Sequence, residues 1–306
     1  MQKIPTPRAL PDQIFQPFLA SEYPPVPAGQ AAFHIIPAPL EASVSYGGGA
    51  RLGPAALLAA SQQLEALENG CIPGETGFYT LPPIDCSGQV DDALARIATA
   101  VGQAISCGAI PVLLGGEHTV TLGALRAFAA QKEPLGIVQI DAHADLRPEY
   151  MGNPLSHASV MYRAVADLGL PLAQFACREL CRDEERVRRK FGIVHHDAAE
   201  LADRGFPDPA LPQDFPRRLY ISFDVDGLDA SLMPATGTPS PGGLLWHDAR
   251  RLLACLTRNR QIAGMDIVEF APIPGLHHAD FTAAKLAHLL MALACRANKL
   301  SGEEKV

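Results

Sequence analysis

The chain of 306 residues lacks the signals that would place it in a membrane or carry it out of the cell. No apolar run reaches the ~18 residues of a transmembrane helix, and the opening stretch, MQKIPTPRALPDQIF, has no apolar core of a secretory signal. The seven cysteines are odd in number and mostly scattered, which disfavours a disulfide framework. Cys177 and Cys181 are the closest pair, and without a second pair nearby a zinc site is disfavoured too. We therefore predict a cytoplasmic protein with buried thiols and no membrane partner.

Positive charge is also scarce. Lys and Arg number 25 against 33 Asp and Glu, so the formal net charge is −8 at pH 7. This balance argues against general nucleic-acid binding and is compatible with a small cationic substrate. Hydrophobic residues make up 48% of the chain, which is enough for a substantial core and argues against disorder of the bulk of it.

Three common catalytic signatures are missing as well. The sequence contains no Gly-x-Ser-x-Gly elbow, no Gly-x-x-x-x-Gly-Lys-[Ser/Thr] phosphate loop and no His-Glu-x-x-His helix. The glycine-rich stretch GGGARLG (47–53) misses the dinucleotide-binding pattern and follows no clear strand. The chemistry of the protein must therefore be sought in other residues.

What the chain does contain is an alternation of apolar, β-branched runs with helix-like segments. The predicted strands are 31–38, 110–116, 135–143, 174–177, 192–196, 218–226 and 262–270. The predicted helices are 54–67, 89–107, 119–131, 157–168, 180–190, 247–259 and 280–298. Strands that are apolar on both faces indicate a parallel sheet covered on both sides. We predict one three-layer α/β/α domain over residues 29–300 with a mostly parallel sheet, preceded by an irregular, proline-rich arm over residues 1–28.

Acids and histidines gather where four of these strands end. They are Glu117 and His118, then Asp141, His143 and Asp145, then Asp224 and Asp226, and finally Glu269. Ligands of such sheets sit beyond the carboxyl ends of the strands, so these side chains should meet. Each alone could be a helix cap or a structural histidine.

The stretch YISFDVDGLDASLMPATGTPSPGG (220–243) shows why a metal is expected. Its first half is an apolar strand expected to be buried, and this strand ends with Asp224 and Asp226. The two carboxylates share one side of the strand and would repel each other without a cation or proton between them. Asp141, His143 and Asp145 can also share one side if their backbone stays extended. With His118, the set is four carboxylates and two imidazoles without thiolate, which suits two manganese ions. Two such metals can make a water acidic enough to attack at neutral pH, so hydrolysis is the expected reaction.

These blocks resemble the signatures of the ureohydrolases, the arginase and agmatinase family. The similar stretches are SYGGGARLGPAAL (45–57), GGEHT (115–119), DAHAD (141–145), SFDVDGLDASLMPATGTPSPGG (222–243) and GMDIVEFAP (264–272). The resemblance implies the arginase-like fold, two Mn²⁺ per chain, a trimer or hexamer, and attack of a metal-bridging hydroxide on a guanidinium carbon to release urea and an amine. It also implies a role for each ligand: His118 and Asp145 on one ion, His143 and Asp226 on the other, and Asp141 and Asp224 between the two.

The same resemblance assigns two further catalytic residues beside Asp145. Glu269 matches the acidic position that binds the guanidinium, which a carboxylate can hold in a fork. His157 matches the histidine that passes a proton to the leaving amine, a task that suits its pKa. A loop carboxylate and a polar helix start are the plainer interpretations of these two residues.

Substrate choice rests on the loop DLRPEYMGNPLSHAS (145–159). Arginases carry an asparagine where this chain has Arg147, and the loop resembles the agmatinase branch, so we predict agmatine as the substrate, hydrolysed to putrescine and urea. Arg147 would favour guanidinobutyrate or arginine if it faced the pocket, and agmatine if it were bound to an acid such as Glu149. Arginase, guanidinobutyrase, formiminoglutamase and a non-catalytic regulatory homologue remain alternatives. FACREL (175–180) departs from the family's usual Gly-Ile-Arg.

Overall fold

The computed structural model describes residues 16–300. Residues 1–15 of the predicted arm lie outside the described residues. The described part of the arm packs against the domain. Phe18 and Leu19 are buried, and their backbone N–H groups donate to Thr80 Oγ1 and Ser61 Oγ, respectively, both at 3.0 Å. The boundary between arm and domain at residue 28 stays a prediction.

The sheet confirms the predicted α/β class. Within residues 16–300 eight strands pair in parallel, in the order β2-β1-β3-β8-β7-β4-β5-β6. Their bounds are β1 Phe33–Ala38, β2 Phe78–Thr80, β3 Ile110–Gly115, β4 Gly136–Ile140, β5 Leu172–Phe175, β6 Val194–His196, β7 Arg218–Asp224 and β8 Gln261–Val268. The seven predicted strands all overlap observed ones. The edge strand β2 was missed because its three residues lie between Gly77 and the prolines Pro82 and Pro83, which indicate a loop.

Helices cover both faces of the sheet, as a three-layer domain requires. Over the same residues the α-helices are α1 Gly53–Ser61, α2 Val90–Ser106, α3 Val120–Ala129, α4 Val160–Ala166, α5 Arg182–Phe191, α6 Ala198–Arg204, α7 Trp246–Thr257 and α8 His277–Asn298. One core lies under α2 to α5 and the other under α1, α6, α7 and α8. The helix predicted at 157–168 begins with a short 3₁₀ turn, and α6 was not predicted. No helix in this part of the chain is both long and apolar enough to cross a bilayer.

The topology brings the chemically interesting strand ends side by side. The chain passes from β3 to β4 across the sheet, and β8 and β7 later fill the gap between them. The four strands followed by acids and histidines are therefore the four neighbours β3, β8, β7 and β4. Crevices at such a switch in strand order are the usual ligand sites of open parallel sheets.

Candidate metal centre

The first half of the centre surrounds His118, which follows β3. Its Nδ1 atom lies 2.9 Å from Asp145 Oδ2, 3.2 Å from Asp141 Oδ2 and 3.4 Å from Asp224 Oδ2. All four side chains are buried. The carboxyl ends of β3, β4 and β7 thus deliver four predicted ligands to one point.

The second half surrounds His143, whose Nδ1 lies 3.1 Å from Asp226 Oδ2 and 3.5 Å from Asp141 Oδ1. Asp141 therefore turns one oxygen toward each histidine. It belongs to both groups of ligand atoms that are close enough to hold one ion: His118, Asp141 and Asp224, and Asp141, His143 and Asp226. Asp141 has the position of a bridge. Asp224 joins only the first group, and its bridging role, like the ligation by Asp145, stays a prediction.

The hydrogen bonds of His118 test whether a metal fits. Its Nε2 lies 2.9 Å from Ser222 Oγ, which donates to Asp266 Oδ1 at 2.8 Å. Because the hydroxyl proton goes to the carboxylate, Nε2 is the protonated nitrogen and Nδ1 carries the lone pair. That Nδ1 is buried without a hydrogen-bond partner in the described chain, facing three carboxylates. A lone pair among carboxylates is repulsive unless a proton or a metal cation lies between them, and this set of one imidazole nitrogen and three carboxylates fits a divalent metal.

The crowding of buried carboxylates also favours a metal in this site. Burial would lower the pKa of His143, yet its contacts with Asp141 and Asp226 raise that pKa to about 12. Burial and the nearby Asp141 raise the pKa of Asp145 to about 7. Both pKa values are raised, which is typical of an excess of negative charge in a low dielectric. Two divalent cations would balance the four carboxylates.

A chain of buried amides supports Asp141 from behind and was missed in the sequence. Gln139 Nε2 donates to Asp141 Oδ2 at 2.7 Å, Gln174 Nε2 donates to Gln139 Oε1 at 2.6 Å, and Arg188 Nε donates to Gln174 Oε1 at 2.8 Å. The sequence does indicate this contact, because Gln139 stands two residues before Asp141 and so lies on the same face of the strand. Ser222 stands in the same relation to Asp224.

The predicted extension of β4 through residue 143 is wrong. The strand ends at Ile140, and Asp145 has φ +52°, in the left-handed region that is uncommon for residues other than glycine. A turn, not alternation on a strand, therefore presents the side chains of DAHAD. Glu269 also has a positive φ, +62°. Such strained residues cluster at functional sites.

A cavity of about 360 Å³ opens onto the predicted metal ligands. Glu269 and His157 both line it, together with His143, Asp145, Asp224 and Asp226. Glu269 Oε1 accepts a hydrogen bond from His118 N at 2.6 Å, and burial raises the pKa of Glu269 to about 8. The structure thus brings the two predicted catalytic side chains to the same cavity as the metal ligands.

Two glycine-rich loops form one wall of this cavity. Gly47 N donates to Gly237 O at 3.0 Å, and a Cβ added at Gly237 would lie only 2.9 Å from Gly47 O. Backbone meets backbone here, so a side chain at either glycine would push the loops apart. The stretches GGGARLG and MPATGTPSPGG therefore serve the site through their close approach.

Arg147 lines the cavity, and among residues 16–300 no salt bridge joins it to Glu149 or to another carboxylate. Its guanidinium carbon lies 5.7 Å from the centre of the Tyr150 ring. Arg178, in the divergent FACREL stretch, donates to Asp226 O at 2.6 Å and to Ser240 O at 2.9 Å. Arg178 therefore ties the loop of Ser240 to the loop that carries the predicted ligand Asp226.

Comparisons with known proteins agree with this geometry. A family model described as "Arginase family" matches residues 31–295. The N(1)-aminopropylagmatine ureohydrolase of Thermus thermophilus is 37% identical over 270 residues, covering 87% of this chain and 92% of that protein. The agmatinase of Pyrococcus horikoshii is 31% identical over 279 residues, covering 90% and 96%. The crystal structure of an agmatine ureohydrolase of Thermoplasma volcanium matches with a TM-score of 0.82 and 30% identity, covering 94% and 97%.

Proposed function

The chain belongs to the arginase family, and from this premise we propose that it hydrolyses the guanidinium group of agmatine to release urea and putrescine. Members of this family are hydrolases that act on guanidino substrates and depend on two metal ions. The observation that carries the proposal is Asp141, shared between two groups of ligand atoms in a site that also holds Glu269. We propose Mn²⁺ as the metal, two per chain, because the ligands are oxygen and imidazole nitrogen.

Each residue has a proposed task. His118 and Asp145 would hold one ion, His143 and Asp226 the other, and Asp141 and Asp224 both. When bound, the ions would lower the pKa of water in the site so that a nucleophile is available near neutral pH.

Two side chains would act on the substrate itself. Glu269 would bind and orient the guanidinium, and the arriving cation would favour its ionised form against the effect of burial. His157 would give a proton to the leaving amine, since a neutral amine leaves more readily than its anion.

The charge of the cavity supports a cationic tail on the substrate. Besides Glu269, the glutamates that line it are Glu41, Glu117, Glu179 and Glu184. Glu41 pairs with Arg51 at 3.2 Å. The other three glutamates exceed in number the one arginine of residues 16–300 that lines the cavity, Arg147, so the lining carries an excess of acidic side chains. Agmatine carries an ammonium tail and fits this excess. Aminopropylagmatine carries a longer cationic tail, and the relative with 37% identity bears its name, so it is a substrate of the same kind.

One observation favours a second candidate. Arg147 lines the cavity and does not pair with Glu149. Its guanidinium would therefore attract a substrate with a carboxylate tail, such as guanidinobutyrate. The predicted trimer or hexamer and the cytoplasmic location stay predictions.

Urea release tests the proposal. Purified protein with added Mn²⁺ would be assayed on agmatine, aminopropylagmatine, arginine, guanidinobutyrate and guanidinopropionate. We expect the two substrates with cationic tails to have the highest kcat/KM. Release of no urea from any of the five would overturn the proposed function.

A further inference from the structure

His157 is held on both ring nitrogens by serines of a distant segment. Ser43 Oγ lies 2.8 Å from its Nδ1, and Ser45 Oγ lies 2.7 Å from its Nε2. The His157 backbone N–H also donates to Ser43 Oγ, at 3.1 Å. Ser43 therefore contacts both the ring and the backbone of the histidine.

Ser43 is in turn bound to Glu117, a buried acid that directly follows β3 and its glycine turn. Glu117 Oε1 accepts from Ser43 Oγ at 2.9 Å and from Thr119 Oγ1 at 2.5 Å. Its Oε2 accepts from the backbone N–H groups of Ala42 at 2.6 Å and Ser43 at 2.5 Å. Four donors converge on this carboxyl, which is the pattern of an ionised group that only accepts.

A count of protons then determines the state of the histidine. Ser43 Oγ has one proton, and the charged acceptor Glu117 binds it more strongly than a neutral nitrogen would. Its two lone pairs must accept from His157 N–H and from Nδ1–H. In the neutral ring Nε2 is consequently the nitrogen without a proton, and it accepts a hydrogen bond from Ser45 Oγ.

From this geometry we propose that Glu117 and Ser43 are positioning residues, which hold neutral His157 in the tautomer with its proton on Nδ1 and leave Nε2 to take and give the catalytic proton. The arrangement repeats the one at His118, where Ser222 donates to Asp266, accepts from the Nε2–H of the histidine and so leaves Nδ1 without a proton. Two serines bound to buried carboxylates thus set opposite tautomers on two histidines of one site. The inference rests on the proposed function, because it gives His157 the proton-transfer role.

The tautomer can be measured without turnover. In full-length protein loaded with diamagnetic Zn²⁺ in place of Mn²⁺, ¹⁵N shifts of the His157 ring would be recorded, with the signals assigned by their loss in His157→Gln. We expect Nδ1–H in the wild type and a mixture in Ser43→Ala. In Glu117→Gln the side-chain amide can donate to Ser43, whose proton then turns to Nδ1, so the Nε2–H tautomer should dominate. Nε2–H in the wild type, or an unchanged tautomer in both variants, would overturn the proposal.

Kinetics supply the second measurement. Ser43→Ala should lower kcat about tenfold, the effect of one lost hydrogen bond, with KM and metal content unchanged, and Ser43→Thr should restore most of the rate. In the His157→Ala background Ser43→Ala should cost nothing more, since the serine acts only through the histidine. Equal losses in both backgrounds would show a merely structural serine. A wild type without urea release would refute the proposed function, while the ¹⁵N measurement would still test the tautomer.

Discussion

The guanidinium of Arg147 lies over the ring of Tyr150, 5.7 Å from its centre, while Glu149 next to it takes no part in the contact. The Tyr150 ring meets the His157 ring edge-on at 5.6 Å. Arg147 is therefore held at the cavity by an aromatic side chain that also touches the proposed proton donor. We therefore expect the cation to act on the tail of the substrate.

Arg147→Met should shift substrate preference toward cationic tails. Removing a cation near the tail changes the interaction by on the order of 1 kcal/mol, which is about fivefold in kcat/KM, upward for agmatine and downward for guanidinobutyrate. Arg186→Met, on the exposed face of α5, is the matched control and should change neither ratio. Steady-state kinetics on both substrates decide the matter, and a wild type that prefers guanidinobutyrate would make it the substrate.

His157→Ala should keep both metals and slow turnover by about 10- to 10⁴-fold, the range of acid–base assistance. The reason is that His157 lines the cavity but contacts the serines Ser43 and Ser45, not a metal-ligand side chain. His247→Ala, an exposed histidine on α7, is the control and should leave kcat unchanged. An unchanged rate in His157→Ala would remove this residue from the mechanism.

Asp141→Asn and Asp224→Asn should each lower the metal content below two ions per chain and abolish urea release. Both carboxylates approach His118 Nδ1, and Asp141 also approaches His143. An amide at position 141 would therefore withdraw charge from both metal positions, and an amide at position 224 from the first. Elemental analysis measures the content, with Asp248→Asn on α7 as the control. Full occupancy in both variants would contradict the bridging assignments.

The parts of the site that could be predicted are those that depend on residues close together in the sequence. β3, β4, β7 and β8 are apolar runs that end in acids or histidines, and parallel pairing brings such ends together. β2 and α6 were missed because each is short and lies next to residues that indicate a loop, Gly77 and Pro82 around β2 and Gly205 and Pro207 after α6.

The supporting contacts are of another kind. Ser43 and His157 are 114 residues apart, and Arg178 reaches carbonyls that lie 48 and 62 residues further along. Nothing in the local pattern marks these pairs, since they depend on how loops from different strands meet above the sheet. The orientation of Arg147 is equally a matter of loop packing, which is why substrate choice stayed open in the sequence.

A last prediction concerns His288 on α8, far from the metal ligands in the chain. The residue is fully buried, neither ring nitrogen has a hydrogen-bond partner within residues 16–300, and burial with the nearby Lys285 lowers its pKa to about 4. The unfolded chain, with an ordinary histidine pKa near ~6.5, binds more protons between these values, so the free energy of unfolding falls as the pH drops through this window and is unaffected above it. The wild type should lose ~2 kcal/mol from this group between pH 7 and 5, and His288→Leu should not. Urea denaturation of the wild type, His288→Leu and the exposed control His247→Leu at both pH values measures this, and equal pH dependence in all three would show that His288 stays neutral for another reason.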